Sequence, residues 1–273
     1  MPRNAANGGF SDEDRKKLEA VFNNVNLMSD SMGKYKTMLT KAFEVIDKQA
    51  KHICYLNSQI NLTNYRIDAQ NQYGRKESLK VLKLDSKLHG TDPVKIMTDI
   101  VNEIEAKAKD KNGCDVKINM KEEHIQRCHF LGESKNKLIC KFIPFSIRMK
   151  ILLNKKVING AREGKYKDVF IVEDLTPMRA RLLWYMKKKC TTKFSILHTR
   201  DGVIKVKKEG RDADGDPWLS IRNPDDLFEH LDENDKFDVD LFNSGLHGFK
   251  LLPDISDSGM LEEMLELMRD ADE

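Results

Sequence analysis

The sequence predicts an α+β protein built from a long N-terminal coiled coil, a βαββαβ unit and a small α+β lobe. Three observations lead there. Apolar residues recur at alternating spacings of three and four through residues 11–72. After Gly74, short alternating runs and amphipathic runs follow in the order β, α, β, β, α, β. From Thr176 onward come a Pro-opened helix, a hairpin signal and further short elements.

In the first segment, position a holds Leu18, Val25, Met32, Leu39, Ile46, Ile53, Ile60 and Ile67. Position d holds Val21, Met28, Tyr35, Ala42, Gln49, Leu56, Thr63 and Gln70. A 3.5-residue repeat stays on one face over eight heptads only if helices supercoil. A single amphipathic helix packed on the protein's own core is the weaker alternative, because the pattern outruns ordinary globular helices. Isoleucine at a, with polar Gln49, Thr63 and Gln70 at d, suggests parallel strands whose register is set by polar layers. Mostly uncharged e and g positions widen the seam, which favours a trimer over a dimer. Residues 1–10 are expected to be a flexible N-terminus.

Residues 76–176 form the expected middle domain. "SLKVLKL" alternates like a strand, and "DPVKIMTDIVNEIEAKAKD" reads as a helix with Asp92 or Thr91 at the N-cap and Pro93 at N1. "HIQRCHFLG" and "NKLICKFIP" read as strands joined by "ESKN". "FSIRMKILLNKKVI" has helical periodicity and "KDVFIVEDL" is a further strand. This succession is the split βαβ unit of ferredoxin-like and RNA-recognition-like (RRM-like) domains. Residues 177–231 form the C-terminal lobe. It has a helix opened by Thr176 and Pro177, a hairpin turned at Asp201-Gly202, the strand "PWLSIR" and the helix "NPDDLFEHL". Residues 232–273 read as an acidic tail, with a short helix suggested by Met260, Leu261, Met264, Leu265 and Met268.

The net charge of +3 conceals a strong asymmetry. Residues 1–120 carry 20 Lys/Arg against 16 Asp/Glu, residues 121–210 carry 22 against 9, and residues 211–273 carry 5 against 19. A basic middle followed by an acidic end suits a binder of nucleic acid or another anionic surface, with the tail as a candidate protein-partner segment. No run of 18 apolar residues is present, so no membrane span is expected, and "MPRNAANGGF" lacks the apolar stretch of a secretory signal. Five scattered cysteines without a CxxC pair fit a reducing compartment, cytoplasmic or nuclear. His124 with Cys128-His129 makes a poor metal set, and "DADGD" departs from a calcium loop. GxxxxGK[ST], HExxH and GxSxG are absent, so neither a metal, a cofactor nor an enzymatic activity is expected.

Four phrases taken in order, "QYGRKESLKVLKL", "IQRCHFLGESKNKLICKFIPFSIRMKIL", "VFIVEDLTPMRARLL" and "TRDGVIKVKK…WLSI…DL", resemble the first-open-reading-frame protein of LINE-type retrotransposons. They are closer still to its relatives in invertebrate elements and to the baculovirus FP (few-polyhedra) protein with its C-terminal domain. The resemblance implies a coiled-coil oligomer, usually a trimer, that carries an RRM-like domain and a C-terminal lobe. The two lobes together clamp single-stranded RNA or DNA, and the protein acts as a chaperone in cytoplasmic ribonucleoprotein particles. The FP relatives imply an alternative, a structural or adaptor protein of virion or envelope-protein trafficking.

The family pattern places candidate nucleic-acid contacts at Arg75, Lys76, Arg127, Lys141, Arg148, Lys150, Arg179, Arg181, Arg200 and Lys205. On the helix after Thr176, Arg181, Trp184, Lys187 and Lys188 fall opposite the apolar side, and Arg181, Trp184 and Lys188 are offered to a nucleic-acid strand. Arg179 falls among the apolar positions, so it must pair with an acid or point into a cleft. The first strand offers Leu79, Val81, Leu82 and Leu84 where RNA-recognition domains place aromatics, and the third offers only Phe142. Contacts with the phosphate backbone should therefore dominate.

Overall fold

The computed structural model describes residues 11–208, 218–231, 237–244, 246 and 250–252. The N-terminal ten residues, "DADGD" and the Met260–Met268 periodicity of the tail lie outside the described residues. The chain divides into two compact units, Met1–Ile60 with Pro253–Glu273, and Asn61–Leu252.

The first unit contributes most of helix α1 (Asp12–Gly74). Ser11 opens the helix with a reciprocal cap. Its hydroxyl accepts from the Asp14 N–H at 3.2 Å and donates to the Asp14 carboxylate at 2.6 Å, and three acids occupy the positive end of the helix dipole. The apolar heptad positions of this unit are open to solvent, from Met32 at 70% to Leu56 at 44%.

The second unit begins with the last turns of α1 and contains two sheets. The first sheet comprises β1 (Ser78–Leu82), β2 (Ile125–Leu131), β3 (Lys137–Phe142) and β4 (Phe170–Glu173), in the spatial order β2-β3-β1-β4 and antiparallel throughout. Helix α2 (Pro93–Lys107) precedes β2 and helix α3 (Phe145–Asn154) precedes β4. Asp92 caps α2 by accepting from the Val94 N–H at 3.3 Å, and Pro93 stands at its first turn, as expected. Leu79, Val81, Leu138, Cys140, Phe142 and Ile171 point to the core beneath the helices. Because strand residues alternate, Arg127, His129, Ile139, Lys141, Lys80, Leu82 and Val172 belong to the opposite side of the sheet. Edge strand β4 is shorter than "KDVFIVEDL" suggests. The Asn159 side chain satisfies both backbone groups of Ile171, accepting at 2.7 Å and donating at 3.1 Å, so no further ladder is needed there.

The second sheet is β5 (Phe194–Arg200), β6 (Val203–Lys208) and β7 (Leu219–Ile221), in that order. Asp201 and Gly202 have φ of 55° and 78°, the left-handed pair that a tight I′ hairpin requires. Helix α4 (Pro177–Lys189) packs Met178, Leu182, Tyr185 and Met186 into the second core. Helix α5 (Pro224–Phe228) is shorter than "NPDDLFEHL". A further helix, α6 (Val239–Asn243), falls in the stretch read as tail. Phe242 and Leu251, at 0% and 3% exposure, extend the packed lobe beyond residue 231. The acids of "FDVDLFN" obscured an ordinary Asp-capped turn, in which Asp238 accepts from the Leu241 N–H at 2.7 Å.

Candidate functional site

The end of α1 meets the second core and the first sheet through a stripe spaced by three and four residues, Tyr65, Asp68 and Gln72. The Tyr65 hydroxyl donates to Asp225 at 3.0 Å. The Gln72 amide donates to the Asp174 carbonyl at 3.0 Å and accepts from the Thr176 N–H at 2.8 Å. Arg179 resolves its sequence ambiguity by pairing. Its Nε lies 2.8 Å from Asp68, and Nη1 donates to the Gly202 carbonyl at 2.8 Å. Arg148 is 1% exposed and reaches Glu173 at 2.5 Å and Asp201 at 2.9 Å. Glu173 also accepts from the Asp201 and Gly202 N–H groups, at 2.8 and 3.3 Å. The tip of the β5–β6 hairpin is thus held by a set of paired polar groups, although the buried Arg148 Nε has no partner among the described residues. Arg148 and Arg179, expected as contacts, are placed in this junction.

Other expected residues divide by what they touch. Arg181 donates to the backbone carbonyls of Leu241 and Phe242 and to Ser244, closing the C-terminal end of α6. Its guanidinium stacks 3.8 Å from the Trp184 ring centroid, and the Lys188 ammonium lies 4.9 Å from the same ring. Arg75 pairs with Asp174 at 3.0 Å, Lys141 with Glu77 at 3.6 Å, and Lys150 donates to the Lys117 carbonyl at 3.1 Å. Lys76 lies 5.6 Å above Phe145. Arg127 stands in register with Lys141 on the non-core side of the first sheet, where both side chains reach water. Arg200 is exposed, and Lys205 donates to Ser220 at 2.5 Å on the second sheet.

Over the non-core side of β1 and β4, against α4 and β5, lies a cleft of about 480 Å³. Lys80, Lys155, Lys187, His198, Thr199 and the acid Glu173 supply its polar wall, and Leu82, Val172, Leu183 and Leu197 much of its apolar wall. Lys80 reaches Asp174 at 2.6 Å. Burial pushes the Lys155 ammonium below its ordinary value; Glu173 opposes this, while Arg148 and Lys187 add to the depression. His198 is also held below the ordinary histidine value, first by burial and then by Lys155, with Glu173 opposing and Arg200 and Lys205 contributing. Both shifts come first from burial, with cationic neighbours adding to it and Glu173 opposing it. Lys155 and Lys187 can donate ammonium hydrogen bonds to phosphate oxygens from this wall, and Lys80 can do so while shared with Asp174.

None of these wall residues is among the nucleic-acid contacts expected from the sequence, although Lys187 falls on the outward basic face of its helix. Lys80 alternates with buried Leu79 and Val81, a signal for the open side of a strand. Lys155 follows the end of α3, and Lys187 has an independent reason to stand at a helix C-terminus. Their convergence needs the tertiary fold. Cys128 donates to the Pro93 carbonyl at 3.4 Å and His124 accepts from the Lys121 N–H at 3.1 Å, so both serve local structure. Among the described residues no group of three or more His, Cys, Asp or Glu could hold a metal ion, and no helix is long and apolar enough to cross a membrane. No family model matches the chain, and no curated protein matches its sequence.

Proposed function

We propose that the protein is an oligomeric binder and chaperone of single-stranded nucleic acid, RNA foremost, of the LINE first-open-reading-frame type. It gathers the strand in the cleft between an RRM-like domain and the C-terminal lobe and performs no bond chemistry of its own. The carrying observation is that Lys80, Lys155 and Lys187 converge on one cleft, where they outnumber Glu173, the acid in its wall. The order β2-β3-β1-β4, with one helix before β2 and one before β4, supports the RRM-like reading.

Self-association through α1 is supported where the helix docks. Tyr65, Asp68 and Gln72 occupy heptad positions f and b, so the docked face lies away from the a/d seam, and Ile67 at position a remains 50% exposed. Trimerisation and residence in cytoplasmic ribonucleoprotein particles belong to the same proposal. A salt titration tests the binding step. For a single strand, log affinity should fall with log salt at about −0.7 per phosphate contact, and Lys155→Gln with Lys187→Gln should flatten the slope by about 1.4. Affinity that ignores both salt and these substitutions would remove the proposal.

The engagement of Arg148, Arg179 and Arg181 in internal contacts favours a second reading, a coiled-coil adaptor of the FP type. That reading expects negligible oligonucleotide binding at moderate salt and capture of a protein partner by α1 or the acidic tail.

A further inference from the structure

Trp218 lies outside the cleft wall and outside every contact the sequence suggested. It immediately precedes β7 and is 42% exposed. Its ring meets the His198 ring at a centroid distance of 4.7 Å and an interplanar angle of 88°, and the Lys207 ammonium lies 5.3 Å from its centroid. On this sheet Ile204, Val206 and Ile221 point into the core. Lys205, Lys207 and Ser220 alternate with them and stand on the other side, with His198, Lys205 and Ser220 in register across the three strands. His198 is also part of the cleft wall. One side chain therefore joins the lysine cleft to an open indole.

The other described tryptophan makes the contrast. Trp184 stacks on an arginine that is itself tied to the backbone of α6, so its flank is fixed by the fold. Trp218 instead has the Lys207 ammonium 5.3 Å from its centroid and an exposed histidine against its ring. An indole held at a sheet edge, with cations beside it and phosphate-binding groups next along the surface, has the composition of a single-strand stacking platform. Every base presents a π-face, so such a platform accepts any unpaired base but not one stacked inside a duplex.

We infer that Trp218 is the stacking subsite for one unpaired base of a single strand whose backbone lies on Lys80, Lys155 and Lys187. This rests on the reading of the cleft as a nucleic-acid site. The subsite makes the protein discriminate single strands from duplexes of equal charge, which lysines alone cannot do.

The test titrates the full-length protein with oligoadenylate and with an abasic ribose-phosphate oligomer of the same length, following tryptophan fluorescence and affinity at fixed salt. The expected result is quenching by oligoadenylate that exceeds quenching by the abasic oligomer, and that is lost in Trp218→Ala. The same substitution weakens oligoadenylate binding by about 5- to 100-fold and leaves the abasic oligomer within about 2-fold, while Trp218→Phe retains most of the affinity. Equal quenching by the two oligomers overturns the inference, as does an equal loss of affinity for both in Trp218→Ala, and either leaves the phosphate cleft standing. Failure of the wild-type protein to bind either oligomer overturns the cleft reading and the stacking subsite together. The same oligomer comparison in Trp184→Phe, where Trp218 is the remaining tryptophan, decides even if Trp218→Ala does not fold.

Discussion

On the proposed reading of the cleft, Lys155 sits where stability and binding pull in opposite directions. Its ammonium is partly withdrawn from water and faces Arg148 and Lys187, and Glu173 offsets this only in part. A lysine whose folded pKa is depressed binds protons less readily than it does in the unfolded chain. The folded state therefore carries a penalty at neutral pH, relieved as pH rises from the lowered value toward the ordinary lysine range. Lys155→Met should raise the melting temperature at pH 7, and its advantage over wild type should shrink at alkaline pH, when both are followed by thermal melts. The same change should weaken single-strand binding by about 5-fold at low salt, since one phosphate contact is lost. Arg148 is the opposite case. Its charge is matched by Glu173 and Asp201 in the interior, and removing one member of such a set leaves an uncompensated buried ion. Both residues are basic side chains in the same basic stretch, and only burial and partners separate the groove cation from the structural one.

At the scale of elements, the β5–β6 hairpin is a small structure with a large share in the junction. Gly202 has φ of +78°, and a Cβ there would come within 2.6 Å of the Gln72 side chain. Gln72 cannot readily withdraw, because its amide oxygen and nitrogen are both bonded to the segment between β4 and α4. Gly202→Ala therefore combines backbone strain with a clash and should cost about 2 kcal/mol or more in chemical denaturation. It should also weaken binding, because the displaced hairpin carries His198 away from the cleft. Exchange at residue 73, which is 77% exposed and next to the same turn, should cost less than about 0.5 kcal/mol. Elements with a strong local grammar were legible in the sequence: Asp92-Pro93 and Thr176-Pro177 opened their helices where expected, and Asp201-Gly202 turned its hairpin. Helix α6 was not, because five residues with a single capping acid carry too little periodicity to stand out from an acidic background. The cleft was not legible either. Lys80, Lys155 and Lys187 are separated along the chain by whole elements, and no local pattern encodes their approach.

For the whole molecule, the exposed heptad seam and the cleft together make a prediction about valence. Ile46 and Ile53, at 47% and 45% exposure among the described residues, leave apolar surface in water that the proposed association would cover. Joining several copies turns each binding event after the first into an intramolecular one, so affinity for a long strand rises without any new contact. Lysine at both positions places charges in the seam at two successive layers, which should yield monomers in sedimentation or mass measurements. Those monomers should keep the affinity of one cleft for an oligonucleotide too short to span two. Their apparent affinity for a long single strand should fall by about 100-fold or more. A uniform loss on short and long strands would instead mean that α1 supports the cleft itself. Its docked residues Tyr65, Asp68 and Gln72 make that outcome distinguishable, because they lie on the face away from the seam and are untouched by the two substitutions.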